Sequence, residues 1–150
     1  MASKTSLKIL VAIRSDHQEL ISSILEGNDL TFVHSLDQAY AALSPDFDLI
    51  VCGLHFENGR MYDFLKFSKA YQPTKDIPFL CVQLTGGILA YGAFKSMVTA
   101  FDVLGGDLFV QLAKWRIELG DEQAFRKLLD VIRVVAAKRL HLGLPDTEAL

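Results

Sequence analysis

The sequence predicts a doubly wound α/β domain: a five-stranded parallel sheet with helices on both faces and an insertion before the last helix. Three observations carry this. Short apolar runs alternate with stretches of helical periodicity along the 150 residues. The runs are apolar throughout instead of alternating, as in strands covered on both faces. Turn and capping residues separate the segments, so the chain reads as successive β-α units, and such units build a parallel sheet.

The elements follow in order. Lys8-Ile-Leu-Val-Ala-Ile13 is the first strand. Asp16 offers an N-cap, with Glu19 closing a capping box, and Leu20, Ile21, Ile24 and Leu25 form the helical stripe before Gly27. Leu30–His34 is the second strand, rich in β-branched and aromatic residues. Ser35 and Gln38 make a second capping box, Leu36, Ala39, Tyr40 and Leu43 its buried stripe, and Pro45 follows. Asp48–Cys52 is the third strand. A loop through Glu57-Asn58-Gly59 leads to a helix burying Met61, Phe64, Leu65 and Ser68, which Pro73 stops. Ile77–Val82 is the fourth strand, with Pro78 tolerated at its start. Gly86-Gly87 opens a helix over 88–104 with Ala90, Phe94, Met97, Val98 and Phe101 inward, and Gly105-Gly106 ends it. Leu108–Val110 is the fifth strand. Asp121 caps the last helix, which buries Phe125, Leu128, Leu129, Ile132 and Val135. Residues 113–120 fall outside the cycle. Right-handed crossovers leave few arrangements at this size, and the flavodoxin-like strand order 2-1-3-4-5 is expected.

The length predicts a single domain over 7–142, with flexible ends at 1–6 and 143–150. Fifteen Lys and Arg against eighteen Asp and Glu give a net charge of −3, which excludes a strongly basic nucleic-acid module. No apolar run approaches the ~18 residues of a membrane span. The apolar run near the N-terminus is too short for a secretory signal. The two cysteines form no CxxC and no zinc spacing. A cytoplasmic protein with reduced thiols, without metal or cofactor, is the expectation.

Several segments resemble the receiver domain of two-component response regulators. Lys8-Ile-Leu-Val-Ala is similar to its opening strand, Pro45-Asp-Phe-Asp-Leu-Ile-Val to its third, Ile77-Pro-Phe-Leu to its fourth, and Leu104-Gly-Gly-Asp to the junction before its fifth. The resemblance covers residues 7–140. It implies an aspartate that accepts a phosphoryl group after strand 3, an acidic pair holding Mg²⁺ after strand 1, a hydroxyl after strand 4 and a lysine after strand 5. This chain departs at each place. The acidic pair falls on Ile13 and Arg14, the acceptor on Gly53, the hydroxyl on Gln83 or Thr85, and the lysine on Gln111, with Leu112 for the proline that follows. No Asp or Glu lies within Leu49–Phe56. Taken together these departures read as a degenerate receiver without phosphotransfer or a metal site, the alternative being an unrelated domain of the same fold.

Individual residues carry less. Asp16 reads as a helix cap before a metal ligand, Arg14 as a solvated arginine before an anion contact, and Gly86-Gly87 as a helix entry before a phosphate cradle. Cys52 and Cys81, counted back from their strand ends, fall on opposite faces. The four histidines are scattered in sequence and join no nucleophile motif, although His55 follows strand 3 and could face the vacated pocket. Arg133, Lys138 and Arg139 read as a solvated helix end. Residues 113–120 hold the one tryptophan; Trp115 beside Arg116 suits an interface, or else a lid folded over the core edge.

The functional expectation is a stand-alone, phosphorylation-independent signalling module that is not an enzyme and acts through a protein partner. A homodimer is expected through the face of helix 4, strand 5 and the last helix, with Phe101, Trp115, Ile117, Val131 and Val134 as interface residues. The alternative is a domain that binds a small molecule or anion in the strand-end pocket.

Overall fold

The computed structural model describes residues 6–87 and 89–142, with side chains described through Ala137. The chain runs β1 (Lys8–Ala12), a 3₁₀ turn (Ser15–His17), α1 (Gln18–Ile24), β2 (Asp29–Val33), α2 (Leu36–Ala42), β3 (Leu49–Gly53) and α3 (Met61–Ala70). A second 3₁₀ turn (Gln72–Thr74), β4 (Phe79–Gln83), α4 (Tyr91–Val103), β5 (Leu108–Gln111), α5 (Leu112–Leu119) and α6 (Asp121–Leu142) complete it. The strands form one parallel sheet in the expected order β2-β1-β3-β4-β5. No helix among the described residues is long and apolar enough to cross a membrane.

Every residue of β3 and β4 is buried, which is why their sequences are apolar without alternation. Successive residues serve two separate cores. Ile9, Val11, Leu49, Val51, Leu80 and Val82 pack with Ile21, Leu128 and Ile132 of α1 and α6. Leu10, Ala12, Ile50, Cys52, Phe79 and Cys81 pack with Leu36, Phe64 and Phe101 of α2, α3 and α4. In the second core an aromatic chain runs from Phe64 to Phe79 (5.6 Å between centroids), Phe101 (6.2 Å) and Phe109 (5.6 Å).

Two carboxylates lock the strand starts. Asp48 accepts from the Lys8 amide at 2.8 Å, and Asp107 accepts from the Phe79 amide at 2.7 Å and from Lys69 Nζ at 3.2 Å. Lys69 also donates to the Ile77 carbonyl at 2.7 Å, which ties α3 to the base of β4.

Ser35 caps α2 as expected, accepting from the Gln38 amide at 3.1 Å, while Gln38 reaches back one residue further than a capping box requires, to the His34 amide at 2.9 Å. The other two expected caps are not formed. Asp16 sits in the 3₁₀ turn, where Arg14 Nη2 donates to it at 2.8 Å, and α1 starts two residues later with no side-chain cap. Asp121 lies in the first turn of α6 and takes two bonds from Arg116, at 2.9 and 3.2 Å. In both cases a nearby arginine competes successfully for the carboxylate.

The helix expected over 88–104 begins at Tyr91. Of its expected inward residues only Phe101 is fully buried; Phe94, Met97 and Val98 are half-buried and Ala90 is exposed. Residues 113–120 lie almost wholly within α5, which packs along α6. Cys52 and Cys81 are register partners on one face, not on opposite faces. The expectation assumed flush strand ends, whereas Gly53 pairs with Val82 and β4 runs on to Gln83. Burial pushes both thiols up from their ordinary value.

Gly106 is required by space alone: a Cβ there would lie 2.3 Å from the Phe101 ring. Gly106→Ala should destabilise the fold by about 1–3 kcal/mol in denaturant unfolding, the usual cost of overpacking. Gly87→Ala, where a Cβ meets nothing within 4 Å, should cost less. Adding Phe101→Leu to Gly106→Ala should recover part of the loss.

Candidate functional site

The carboxyl ends of the strands form the candidate site, because loops there are free to vary above a buried sheet. β1 delivers Ile13, which is wholly buried; its amide donates to the Val33 carbonyl at 3.2 Å. Arg14 follows, half-exposed and paired with Asp16. β3 ends on Gly53, where a Cβ would lie 3.3 Å from Ile13 Cγ2. A side chain at 53 would therefore need Ile13 to give way.

β4 and β5 end on Gln83 and Gln111, which are direct register partners. Both are buried. Gln83 Nε2 donates to the Gly87 carbonyl at 3.0 Å and lies 3.4 Å from that of Thr85, which ties the β4–α4 loop to its strand. The amide oxygens of Gln83 and Gln111 have no hydrogen-bond partner among the described residues. Of the five residues singled out in sequence, Ile13 and Gly53 touch, Gln83 and Gln111 pair, and Arg14 stands on the rim.

That rim encloses an open depression of about 840 Å³, lined by Arg14, Asp16, His34, His55, Glu57 and Thr85 among others. His34 and His55, far apart in sequence, both line it, and His17 lies close by. His34 Nδ1 donates to the Ile13 carbonyl at 2.9 Å, and its Nε2 lies 2.9 Å from Gln18 Oε1. His55 is exposed, and His17 is buried beneath the rim. Burial chiefly pushes the His17 imidazole below its ordinary value; Asp16 opposes the shift and Arg14 and His55 add to it. The sequence points only His55 toward this pocket, because the gathering depends on three different strand ends.

The β3–α3 loop holds Glu57, Asn58 and Gly59 in succession at φ 38°, 57° and 86°. Left-handed backbone at the two non-glycine residues costs on the order of 1–3 kcal/mol each. Glu57 anchors the loop by accepting from the Leu36 amide at 2.6 Å.

The donor set does not suit Mg²⁺, which needs several hard oxygen ligands. Ile13 is hydrocarbon, Gly53 has no side chain, Asp16 is held by a cation, and Glu57 is bound to a backbone amide. Among the described residues no three His, Cys, Asp or Glu side chains gather as a metal would require.

The residues expected at an interface divide. Phe101 is wholly buried between Phe79 and Phe109 and has no surface to offer. Trp115 and Val131 are half-buried against the α1/α6 core, and Lys127 Nζ lies 4.2 Å over the tryptophan ring, so Trp115 lies against the core edge as a lid would. Ile117 and Val134 are 66% and 64% exposed.

No family model matches the sequence, and no curated protein matches it. Solved structures do match in fold. The phosphorylated cyanobacterial phytochrome response regulator RcpA superposes with a TM-score of 0.67 at 15% identity, covering 89% of this chain and 96% of its own. The receiver domain of the sensor histidine kinase PA1611 from Pseudomonas aeruginosa, with magnesium in its active-site cleft, gives 0.63 at 16%, covering 89% and 99%. The chemotaxis response regulator CheY4 of Vibrio cholerae gives 0.60 at 13%, covering 85% and 99%. The chain has the fold of response-regulator receiver domains.

His17 provides a check on the site's electrostatics. Its folded pKa lies below the ordinary 6.5, so the unfolded chain binds the extra proton first as pH falls. The penalty is absent above 6.5 and grows as pH drops below it. The His17 ring should titrate below 6.5 by NMR. The fall in melting temperature from neutral to mildly acidic pH should be smaller in His17→Gln than in the wild type.

Proposed function

We propose that this chain is a phosphorylation-independent signalling module of receiver fold, cytoplasmic, without enzymatic activity, which works by binding a protein partner. The contact of Ile13 with Gly53 carries the reading. The resemblance assigns these positions to an acidic metal ligand and to the phosphoryl-accepting aspartate, and here hydrocarbon packs against a bare backbone. Gln83 and Gln111, at the hydroxyl and lysine positions, are buried, and neither is a hydroxyl or a cation.

Acetyl phosphate with Mg²⁺ should leave no aspartyl phosphate on the β3–α3 loop by mass spectrometry. Gly53→Asp alone should stay unlabelled, since the new side chain must displace Ile13 and finds no metal ligand beside it. Labelling of the wild type anywhere in that loop would overturn the reading.

Self-association is the second part of the proposal. α4 carries Tyr91 and Val103 at 78% and 79% exposure, and the α5–α6 edge carries Ile117 and Val134. Exposed apolar groups of this kind suit a homodimer with a symmetric contact. The wild type should sediment as a dimer at high micromolar concentration, and Trp115→Ala with Val134→Glu should shift it toward monomer. A monomeric wild type refutes the dimer, and a dimer indifferent to both changes refutes this face.

A further inference from the structure

The strand-end depression differs from its surroundings in which polar groups are already committed. Its carboxylates are: Asp16 to Arg14, and Glu57 to the Leu36 amide. His34 is committed as well, between the Ile13 carbonyl and Gln18. Arg14, Ser15, His55 and Thr85 can each donate, and they come from three separate loops. The β1–α1 loop supplies the rest of the Arg14 guanidinium and the Ser15 hydroxyl, the β3–α3 loop supplies His55, and the β4–α4 loop supplies the Thr85 hydroxyl. Gly86, left-handed at φ 101°, brings the last two loops together: a Cβ there would lie 3.9 Å from His55 Nε2. Ile13 and Gly53 are buried in the sheet beneath this ring, and Asp16 and Glu57 stand among its lining residues.

We propose that the depression binds a small phosphorylated molecule, its phosphoryl oxygens accepting from Arg14, Ser15, His55 and Thr85. A tetrahedral group with several acceptor oxygens can meet donors arriving from three sides, which a planar carboxylate meets less well. The guanidinium fork suits phosphate bidentately. Its present partner is a weak competitor, because a half-exposed Arg–Asp pair contributes little. The volume of about 840 Å³ falls in the range of small-molecule sites, which have room for a sugar or base attached to the phosphate. The proposal concerns a ligand and does not depend on the protein partner or the dimer; aspartyl labelling would test that separate reading.

The test is calorimetric titration of the full chain with ribose 5-phosphate, inorganic phosphate and ribose, at ionic strength fixed with chloride. Ribose 5-phosphate should bind saturably and more tightly than inorganic phosphate, and ribose should not bind. Arg14→Ala should weaken ribose 5-phosphate about ten-fold, the scale of a lost charge-assisted hydrogen bond. Asp16→Asn should tighten it about two- to five-fold by freeing Arg14. A merely structural Arg14–Asp16 pair would not give that opposite sign. Thr85→Val should weaken binding, and Ile117→Lys, outside the depression, should leave it unchanged. Absence of saturable binding by both phosphates overturns the proposal, as does indifference to Arg14→Ala or weakening by Asp16→Asn. Equal affinity for inorganic phosphate and ribose 5-phosphate overturns the small-molecule assignment in favour of the free ion.

Discussion

The two buried faces of the central strands constrain everything else in this protein. With β3 and β4 fully buried and β1 nearly so, their backbone groups can be satisfied only by neighbouring strands, and their side chains can be little other than apolar. Polar chemistry is thereby driven to the strand ends. At the amino ends it is structural: Asp48 and Asp107 accept from the Lys8 and Phe79 amides of the neighbouring strands, and Lys69 joins α3 to the same network. At the carboxyl ends the ties run from side chains to loop carbonyls: His34 donates to that of Ile13 and Gln83 to that of Gly87.

The contact of Ile13 with Gly53 shows how tightly neighbouring positions at this end are coupled. A buried carboxylate is costly unless paired or hydrogen-bonded. In this site a carboxylate at 53 would press on Ile13 and would find Arg14 already turned outward to Asp16. Conversely, the small residue at 53 is what leaves room for a branched side chain at 13. The two positions form one packing unit, so neither can change alone without a void or a clash. Gln83 and Gln111 make a second unit: they are buried register partners, and the Gln83 amide ties down the β4–α4 loop.

The sheet was legible in the sequence because burial on two faces writes itself as uninterrupted apolar runs, and parallel order follows from the alternation with helices. Met61, Phe64, Leu65 and Ser68 were legible for the same reason, as a helix stripe facing one core. The capping residues were less so. Local spacing identified Ser35 correctly, but at Asp16 and Asp121 it could not weigh an arginine two or five residues away against a backbone amide. Cys52 and Cys81 were misplaced because a face assignment depends on register, and register between β3 and β4 is set by tertiary packing. For the gathering of His17, His34 and His55 the sequence offered only the place of His55 after the third strand. Each residue is unremarkable in its own segment, and only the strand order brings the three to one rim.

The same geometry explains why α4 is the least secured element. One fully buried ring, Phe101, anchors it, helped by the edge contact of Phe94 with Phe109 at 5.7 Å and by Tyr62, whose hydroxyl donates to the Met97 carbonyl at 3.1 Å. Left-handed glycines bracket it at Gly86 and Gly105. Gly106, with no room for a Cβ against Phe101, makes the anchor a matching of shape and not of polarity. Few buried apolar contacts mean a low cost of local displacement compared with the sheet. The loop that leads into α4 contains Thr85 on the rim of the depression and Gly87 bound to Gln83. The strand-end depression and the exposed face of α4 are therefore joined by a single short loop, tied to its strand by the buried Gln83 amide.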